Sequence, residues 1–278
     1  MSRYLFIYLL YSGCYDLIKG WEIKMEKSSI IRNTKDVMRN LRGRVEIEVP
    51  HLDASRTFVH PSFNEGSYSD LNIDVEQKHL CLPSMGETAS LLDRAFDRKD
   101  LNYDSPELKG VRDRVRRRGV STSTVTLWTT ERGYVEDNPE LKYDSRINKY
   151  VPKMVPEDLK SRFEKDDPSV RLISYFPTYK KFTDVMGGPI SRNQYVVALA
   201  GREGAEKLER VSKSHNAKGV SYHWIFTNNI NNGGKSFPHS EINHCYLGFG
   251  LLSSIHFSVC STRSSYEVLP GTFGVVRD

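Results

Sequence analysis

The chain has 278 residues, of which 38% are hydrophobic and 27% are charged. This length supports one large domain or two small ones with a sizeable core, and the composition excludes wholesale disorder. The net charge of +5 permits an anionic partner but does not require one, because a nucleic-acid binder gathers its charge on one face. The four cysteines include no CxxC pair, which excludes a dense disulfide scaffold and favours reduced thiols in the cytoplasm.

The first 24 residues are predicted to be an apolar extension. They contain a basic start, an apolar run from Tyr4 to Tyr11 and then Cys14, which follows two small residues. This layout is similar to a bacterial lipoprotein signal, which would anchor the protein to a membrane. The run is shorter than the roughly 20 apolar residues that span a bilayer. We favour an upstream start codon or an extra local helix, in a cytoplasmic protein whose domain opens near Met25 and has no transmembrane span.

The domain opens with a predicted helix and a predicted strand. Residues 28–41 have the apolar spacing of an amphipathic helix that ends at Gly43. The following RVEIEV, residues 44–49, alternates apolar and charged residues and therefore predicts a strand with one buried face. Pro50 is expected to end this strand.

Two helices and a β-hairpin are predicted next. The segment LPSMGETASLLDRAFD predicts a helix that begins at Ser84, with Glu87 as its capping-box partner. The segment SPELKGVRDRVRRRG predicts a helix that is capped by Ser105 and closed by Gly119. Residues 120–139 combine β-branched residues with a Glu-Arg-Gly turn, which indicates a β-hairpin.

The remaining predicted elements follow in no regular order: helices at 155–167 and 191–215, and strands at 170–176, 219–226 and 254–260. The longer helix is expected in two parts around Gly201–Gly204. Because strands and helices do not alternate regularly, we predict an α+β fold, with a mixed or mostly antiparallel sheet packed with several helices. A single domain over residues 25–278 is expected, with two lobes, 25–150 and 151–278, as the alternative.

The C-terminal stretch 239–260 holds three of the eight histidines and two of the four cysteines, which raises the question of a metal site. In SIHFSVC, His256 and Cys260 share one face of a predicted strand but lie about 13 Å apart along it. Two ligands of one zinc ion each reach only about 2.0 to 2.3 Å to the metal. His244 and Cys245 are adjacent and would point to opposite faces of a strand. We therefore predict no metal site and no cofactor.

Five arginines fall within seven residues of one predicted helix: Arg112, Arg114, Arg116, Arg117 and Arg118. Leu108, Val111 and Val115 form the apolar stripe of that helix, so the arginines are expected to cover its other faces. Such a surface can neutralise phosphates, and Lys180 and Lys181 would extend it. The alternative is a solvated face whose last arginines complement the helix dipole.

The segment 50–68 is the richest polar stretch and is predicted to be a loop after a core strand, where functional sites are common. The candidate catalytic residues are His51, Asp53, Arg56 and His60. A histidine beside an aspartate can act as an oriented base, and an arginine can bind a carboxylate or a phosphate. The alternative is structural: Asp53 shapes a turn, and the two histidines make local hydrogen bonds.

Residues 121–123 (STS) and 266–273 (YEVLPGTF) are similar to two elements of ADP-ribosyltransferases. In that family an acidic or amide residue stands two places before the catalytic glutamate, whereas here Ser265 stands two places before Glu267. The two elements also lie too far apart in sequence for that fold, so this interpretation ranks below the others. The sequence contains no phosphate-binding loop, dinucleotide fingerprint, GxSxG or HExxH motif.

Five segments resemble a set of archaeal hypothetical proteins with no assigned activity: VPHLDASRTFVHPSF, MGETASLLDRAF, YVEDNPEL, DDPSVR and VVALAGREGAEKLERVSK. The resemblance covers about residues 40–215 and implies a cytoplasmic archaeal protein, but it transfers no catalytic residue. Residues 1–24 and 220–278 depart from it. The function favoured by the sequence is binding of an anionic partner, such as a nucleic acid, through the Arg-rich helix. The alternatives are an enzyme with a pocket at residues 51–62 and a structural or interaction protein.

Overall fold

The computed structural model of the protein describes residues 40–41, 44–129, 132–146, 148–173, 185–186, 189–214, 219–224, 241–249, 256–263 and 269–277. Within these ranges the α-helices are α1 (Tyr68–Glu76), α2 (Met85–Phe96), α3 (Pro106–Arg117), α4 (Pro156–Glu164) and α5 (Gln194–Ser214). The strands are β1 (Asn40–Leu41), β2 (Arg44–His51), β3 (Ala54–His60), β4 (Val120–Trp128), β5 (Gly133–Asp137), β6 (Leu141–Asp144), β7 (Lys149–Pro152), β8 (Val170–Ile173), β9 (Val185–Met186), β10 (Gly219–Trp224), β11 (Glu241–Phe249), β12 (His256–Arg263) and β13 (Gly274–Val276). A short 3-10 helix, Ile190–Arg192, precedes α5.

The strands of the described residues form three sheets. A seven-stranded sheet has the order β8-β5-β4-β11-β12-β10-β9, a four-stranded sheet has the order β1-β2-β3-β13, and β6 pairs with β7. In these ranges every strand pair is antiparallel except β10 with β12. The predicted α+β fold with a mostly antiparallel sheet is confirmed. The seven-stranded sheet contains strands from both of the alternative lobes, 25–150 and 151–278.

The seven-stranded sheet is covered on both faces at β4, the third strand in its order, since every residue of β4 is buried. One face, with Trp128 and Leu247, packs against α2, α3 and α5 in a core that also includes Phe58 of β3. The other face, with Val125 and Leu127, packs against residues of α1 and α4. The four-stranded sheet therefore closes over the same core that buries α2 and α5.

Most local predictions are confirmed. Ser84 and Glu87 form the reciprocal capping box at the start of α2, and Ser105 caps α3. Gly119 and Gly201 have φ values of 79° and 73°, a left-handed conformation that L-residues avoid, so glycine is needed at the end of α3 and at the kink of α5. The hairpin predicted over residues 120–139 is the β4–β5 pair.

Two local predictions are wrong at their edges. The helix predicted over residues 28–41 lies outside the described residues except for its end, where Asn40 and Leu41 pair with β2 as a strand. Strand β2 does not stop at Pro50 but continues to His51 and turns directly into β3. The physical reason is that a proline at the end of a hairpin pair does not interrupt the ladder that the neighbouring residues form.

Helices α2 and α5 cross at unusually small residues. A Cβ atom at Gly86 would lie 2.8 Å from the Ala200 carbonyl oxygen, and one at Gly204 would lie 3.2 Å from Gly86 Cα. Glycine lets the two backbones approach to a distance that any side chain would prevent. This close crossing brings the polar residues of the next turns, Ser90 and Lys207, within hydrogen-bond distance of each other.

No helix in the described part of the chain is long and apolar enough to cross a membrane.

Candidate functional site

The segment predicted to be a catalytic loop is a β-hairpin. His51 pairs with Ala54 across the turn, and Asp53 lies exposed within that turn. His60 stands at the far end of β3, six residues beyond Ala54, which is about 20 Å along an extended strand. The structure therefore does not bring His51, Asp53, Arg56 and His60 into one pocket, because extended backbone separates residues that a compact loop would gather.

Arg56 and His60 have separate structural environments. Arg56 Nε donates to Glu87 Oε1 at 3.2 Å, and the other oxygen of this buried carboxylate accepts from Arg277 Nη2 at 2.8 Å. The His60 ring lies against Gly110 of α3, where burial lowers the pKa of His60 although Glu107 opposes the shift. Arg56 is near enough for its charge to help lower the pKa of His51, and a catalytic role for Arg56 or His60 stays a prediction.

His51 is the candidate that contacts other chemically capable groups. Its Nδ1 atom lies 2.9 Å from Ser90 Oγ of α2. Burial lowers the pKa of His51, an effect that the nearby Glu87 partly offsets. The imidazole is therefore mostly neutral at neutral pH, and one of its ring nitrogens is free to accept a proton.

Lys207 of α5 meets the same serine from the other side. Its Nζ atom donates to Ser90 Oγ at 2.8 Å and to the Pro50 carbonyl oxygen at 3.2 Å. It also forms an ion pair with Glu203 Oε1 at 2.5 Å, and this contact lowers the pKa of Glu203. Lys207 is almost completely buried, so the ammonium group gains three partners in place of water. Three distant segments, β2, α2 and α5, meet at this point.

Ser90 and Lys207 line an open cleft of about 540 Å³. Five carboxylates and two cations are among its lining residues, which are Glu48, Val49, Pro50, Ser55, Ser90, Asp93, Arg94, Asp97, Asp100, Glu203 and Lys207. We call this site the acidic cleft. Its volume lies within the range of about 300 to 1,000 Å³ that is typical of small-molecule sites.

Most charges of the acidic cleft are already paired. Asp93 accepts two hydrogen bonds from Arg210, Asp100 accepts one from Arg94 Nε at 2.9 Å, and Glu203 pairs with Lys207. Within the described residues, the carboxylates of Glu48 and Asp97 have no cationic partner. The acidic cleft therefore carries net negative charge, although the whole chain has a net charge of +5.

The Arg-rich helix α3 divides its arginines between interior and surface, contrary to the prediction that all five cover exposed faces. Arg112 is buried, donates to the Ala95 carbonyl oxygen at 2.7 Å and lies 3.9 Å from the centre of the Tyr103 ring. Arg114 is half-buried beside Gly271, and burial lowers its pKa. Both turn inward because they occupy helix positions next to the apolar stripe.

The last three arginines are exposed at the end of α3. Arg116 lies 5.4 Å from the centre of the Phe96 ring, and Arg118 donates to Glu65 at 2.5 Å. Arg117 has no carboxylate partner within the described ranges. We call Arg116, Arg117 and Arg118 the exposed arginine end. Lys180 and Lys181, which were expected to extend the surface, lie outside the described residues.

The C-terminal histidines and cysteines occupy strands, as predicted. His244 and Cys245 are adjacent, buried residues of β11 that belong to opposite faces, whereas His256 and Cys260 belong to β12. In the part of the chain that the structure describes, no three His, Cys, Asp or Glu side chains are grouped to hold a metal ion. His239 and Glu267 lie outside that part.

Sequence reasoning missed Ser90, Glu203 and Lys207. A signal was present, because Ser90 and Lys207 lie among buried apolar neighbours, Ala89 and Leu91 in α2 and Ala205 and Leu208 in α5. A lysine at a core position of an amphipathic helix requires a buried partner. The sequence alone did not show which partner.

Comparison of the chain with protein-family models, with curated proteins and with solved structures found no match. The resemblance to archaeal proteins stays a prediction, and the acidic cleft and the exposed arginine end are the two features from which a function can be inferred.

Proposed function

We propose that this protein binds a small cationic ligand, such as a linear amine, in the acidic cleft. The observation that supports the proposal is the pair of carboxylates, Glu48 and Asp97, that line the cleft and form no ion pair within the described residues. A carboxylate at the wall of a concave site attracts a cation more strongly than one on a flat surface, because the low-dielectric walls focus its field.

The paired charges of the acidic cleft would help to orient such a ligand. Arg94 donates to the Glu48 carbonyl oxygen and to Asp100, so the backbone beside the Glu48 carboxylate is held in place. Asp97 follows the last residue of α2, and its Oδ1 atom accepts from the Lys99 backbone N–H at 2.9 Å. Two carboxylates at the wall of one cleft, of which Asp97 is held by its own hydrogen bond, suit a ligand with two or more separated ammonium groups.

The proposal predicts measurable binding of spermidine, a linear triamine, to the full chain by titration calorimetry at low salt. The double variant Glu48→Gln/Asp97→Asn is expected to bind about tenfold more weakly, because each lost ion pair is worth roughly 0.2 to 1 kcal/mol. A diol of similar length is expected not to bind, since it lacks the charge.

Glu46→Gln/Asp74→Asn provides the matched control for this experiment. It also removes two negative charges, one from β2 and one from an exposed position of α1, and neither position lines the acidic cleft. Its affinity for spermidine is expected to equal that of the unmodified protein. Equal weakening in both variants would mean that overall charge attracts the amine, and absence of binding would reject the proposal.

We also propose, as a second function, that the exposed arginine end contacts a polyanion such as a nucleic acid. The supporting observation is that Arg117 is exposed without a carboxylate partner in the described ranges, while Arg116 presents its guanidinium beside Phe96. Arg112 and Arg114 are excluded from this surface, since their guanidinium groups turn inward. The surface is smaller than the sequence suggested.

The double variant Arg116→Ala/Arg117→Ala tests the second proposal. Because each phosphate contact on a single strand contributes about 0.7 to the slope of log affinity against log salt, loss of two contacts is expected to reduce the steepness of this slope by about 1.4. Fluorescence anisotropy with a labelled single-stranded RNA measures this slope. The control variant Arg146→Ala/Lys160→Ala removes two positive charges from exposed positions elsewhere, and we expect its slope to equal that of the unmodified protein. An unchanged slope in the first variant would reject the proposal.

A further inference from the structure

We propose that Ser90 is a nucleophile for acyl transfer and that His51 is its general base. The proposal goes one step beyond ligand binding and rests on it only for the charge of the substrate. Ser90 lines the acidic cleft and is within hydrogen-bond distance of two groups that can activate a hydroxyl, an imidazole and an ammonium. Nucleophilic serines in enzymes need such a base within about 2.6 to 3.2 Å.

Two groups beside Ser90 can accept its proton. The hydroxyl oxygen lies 2.9 Å from His51 Nδ1 and 3.2 Å from the Gly86 carbonyl oxygen, and in the tautomer that carries its proton on Nε2 the imidazole is the nearer acceptor. Lys207 Nζ, at 2.8 Å, can only donate to the serine oxygen. Oγ therefore faces a base on one side and a positive charge on the other.

This arrangement favours the alkoxide that attacks a carbonyl. Burial keeps His51 mostly neutral at neutral pH, which is the form that takes up a proton. The ammonium group of Lys207 stabilises negative charge as it develops on Oγ, since both residues are buried and their contact is direct. His51 and Lys207 both contact Ser90 Oγ, so the nucleophile, the base and the stabilising cation are placed for the reaction.

The reaction inferred is hydrolysis of an ester that carries an ammonium group. The Ser90 proton passes to His51 Nδ1 while Oγ bonds to the acyl carbon; the alcohol then leaves and takes the proton from His51. A water molecule gives a proton to His51 and its oxygen to the acyl carbon, the carbon–Oγ bond breaks, and the proton returns to Ser90. One ester and one water give one acid and one alcohol. The negative charge of the acidic cleft selects a cationic substrate.

The test uses the full chain and a small neutral fluorophosphonate, with peptide mass mapping of the adduct. A single adduct on Ser90 is expected, together with hydrolysis of an amino-acid p-nitrophenyl ester. Ser90→Ala is expected to lose both, and His51→Gln, whose amide can keep a hydrogen bond to Ser90, is expected to slow both about 100-fold. Ser55→Ala is the matched control, since Ser55 lines the same cleft outside the network.

The outcomes separate this inference from the proposed function. Spermidine binding without any adduct on Ser90 would overturn the nucleophile and leave the cation site in place. An adduct on Ser90 without spermidine binding would support the nucleophile and reject the cation site. Labelling that survives in Ser90→Ala, or equal rates in His51→Gln and the unmodified protein at matched thermal stability, would show that the Ser90 contacts only hold β2, α2 and α5 together.

Discussion

Replacing Gly86 with valine is expected to destabilise the protein by about 3 kcal/mol, because forced overpacking in a core costs roughly 1 to 3 kcal/mol and more where backbone must move. The first atom of the new side chain would lie 2.8 Å from the Ala200 carbonyl oxygen, which is backbone and cannot rotate away. Helices α2 and α5 would have to separate. Chemical denaturation monitored by circular dichroism measures the loss.

The same change is expected to disturb the acidic cleft, since the contact between Ser90 and Lys207 depends on this helix crossing. Gly110→Val is the matched control in a neighbouring helix. Its Cβ would meet the outer edge of the His60 ring, a side chain that can move, rather than backbone. We expect a loss well below that of Gly86→Val. Equal losses in the two variants would contradict the claim that backbone proximity at Gly86 decides the crossing.

Acid is expected to destabilise the protein through His244. This histidine is completely buried in β11 and stacks 4.2 Å from the centre of the Tyr68 ring, and among the described residues neither ring nitrogen has a hydrogen-bond partner. Burial lowers its pKa to about 3. In the unfolded chain His244 takes up a proton near pH 6.5, whereas in the folded chain it stays neutral. Its contribution to the free energy of unfolding is therefore fully present above pH 6.5 and is lost as the pH falls toward about 3.

The expected loss from His244 alone is about 2 kcal/mol at pH 5, since one unit of pKa difference corresponds to about 1.4 kcal/mol. His51 and His60, whose pKa values are also lowered by burial, act in the same direction. Urea denaturation at pH 5 and pH 8 gives the slope of the free energy of unfolding against pH. The contribution of His244 is the difference in this slope between the unmodified protein and His244→Phe. Phenylalanine keeps a ring beside Tyr68 and removes the titrating nitrogens.

Tyr68→Phe is the control for this experiment. It removes the hydroxyl that donates to the Ser123 carbonyl oxygen at 3.1 Å, but it leaves His244 buried beside an aromatic ring. We expect lower stability at both pH values and an unchanged slope between them. If His244→Phe keeps the full slope, other groups account for the acid sensitivity.

The features that the sequence predicted well depend on residues close together in the chain. The capping box of Ser84 and Glu87 spans three residues, and the end of α3 at Gly119 and the kink of α5 at Gly201 need only local backbone conformation. The strand alternation of β2 likewise follows from neighbouring residues. These interactions have nearly the same geometry in any fold, which is why the elements and the α+β class could be predicted.

The candidate site could not be predicted in the same way. Ser90 and Lys207 are 117 residues apart and meet only because two glycine-containing helices cross closely, and His51 joins them only because β2 extends one residue past Pro50. Arg112 turns inward because Ala95 presents a carbonyl oxygen beside it. By itself the sequence determined the helices, the strands and their caps, since short-range sterics and hydrogen bonds suffice for them. Only the tertiary structure decided which polar side chains meet, since that depends on strand register and on helix packing across the whole core.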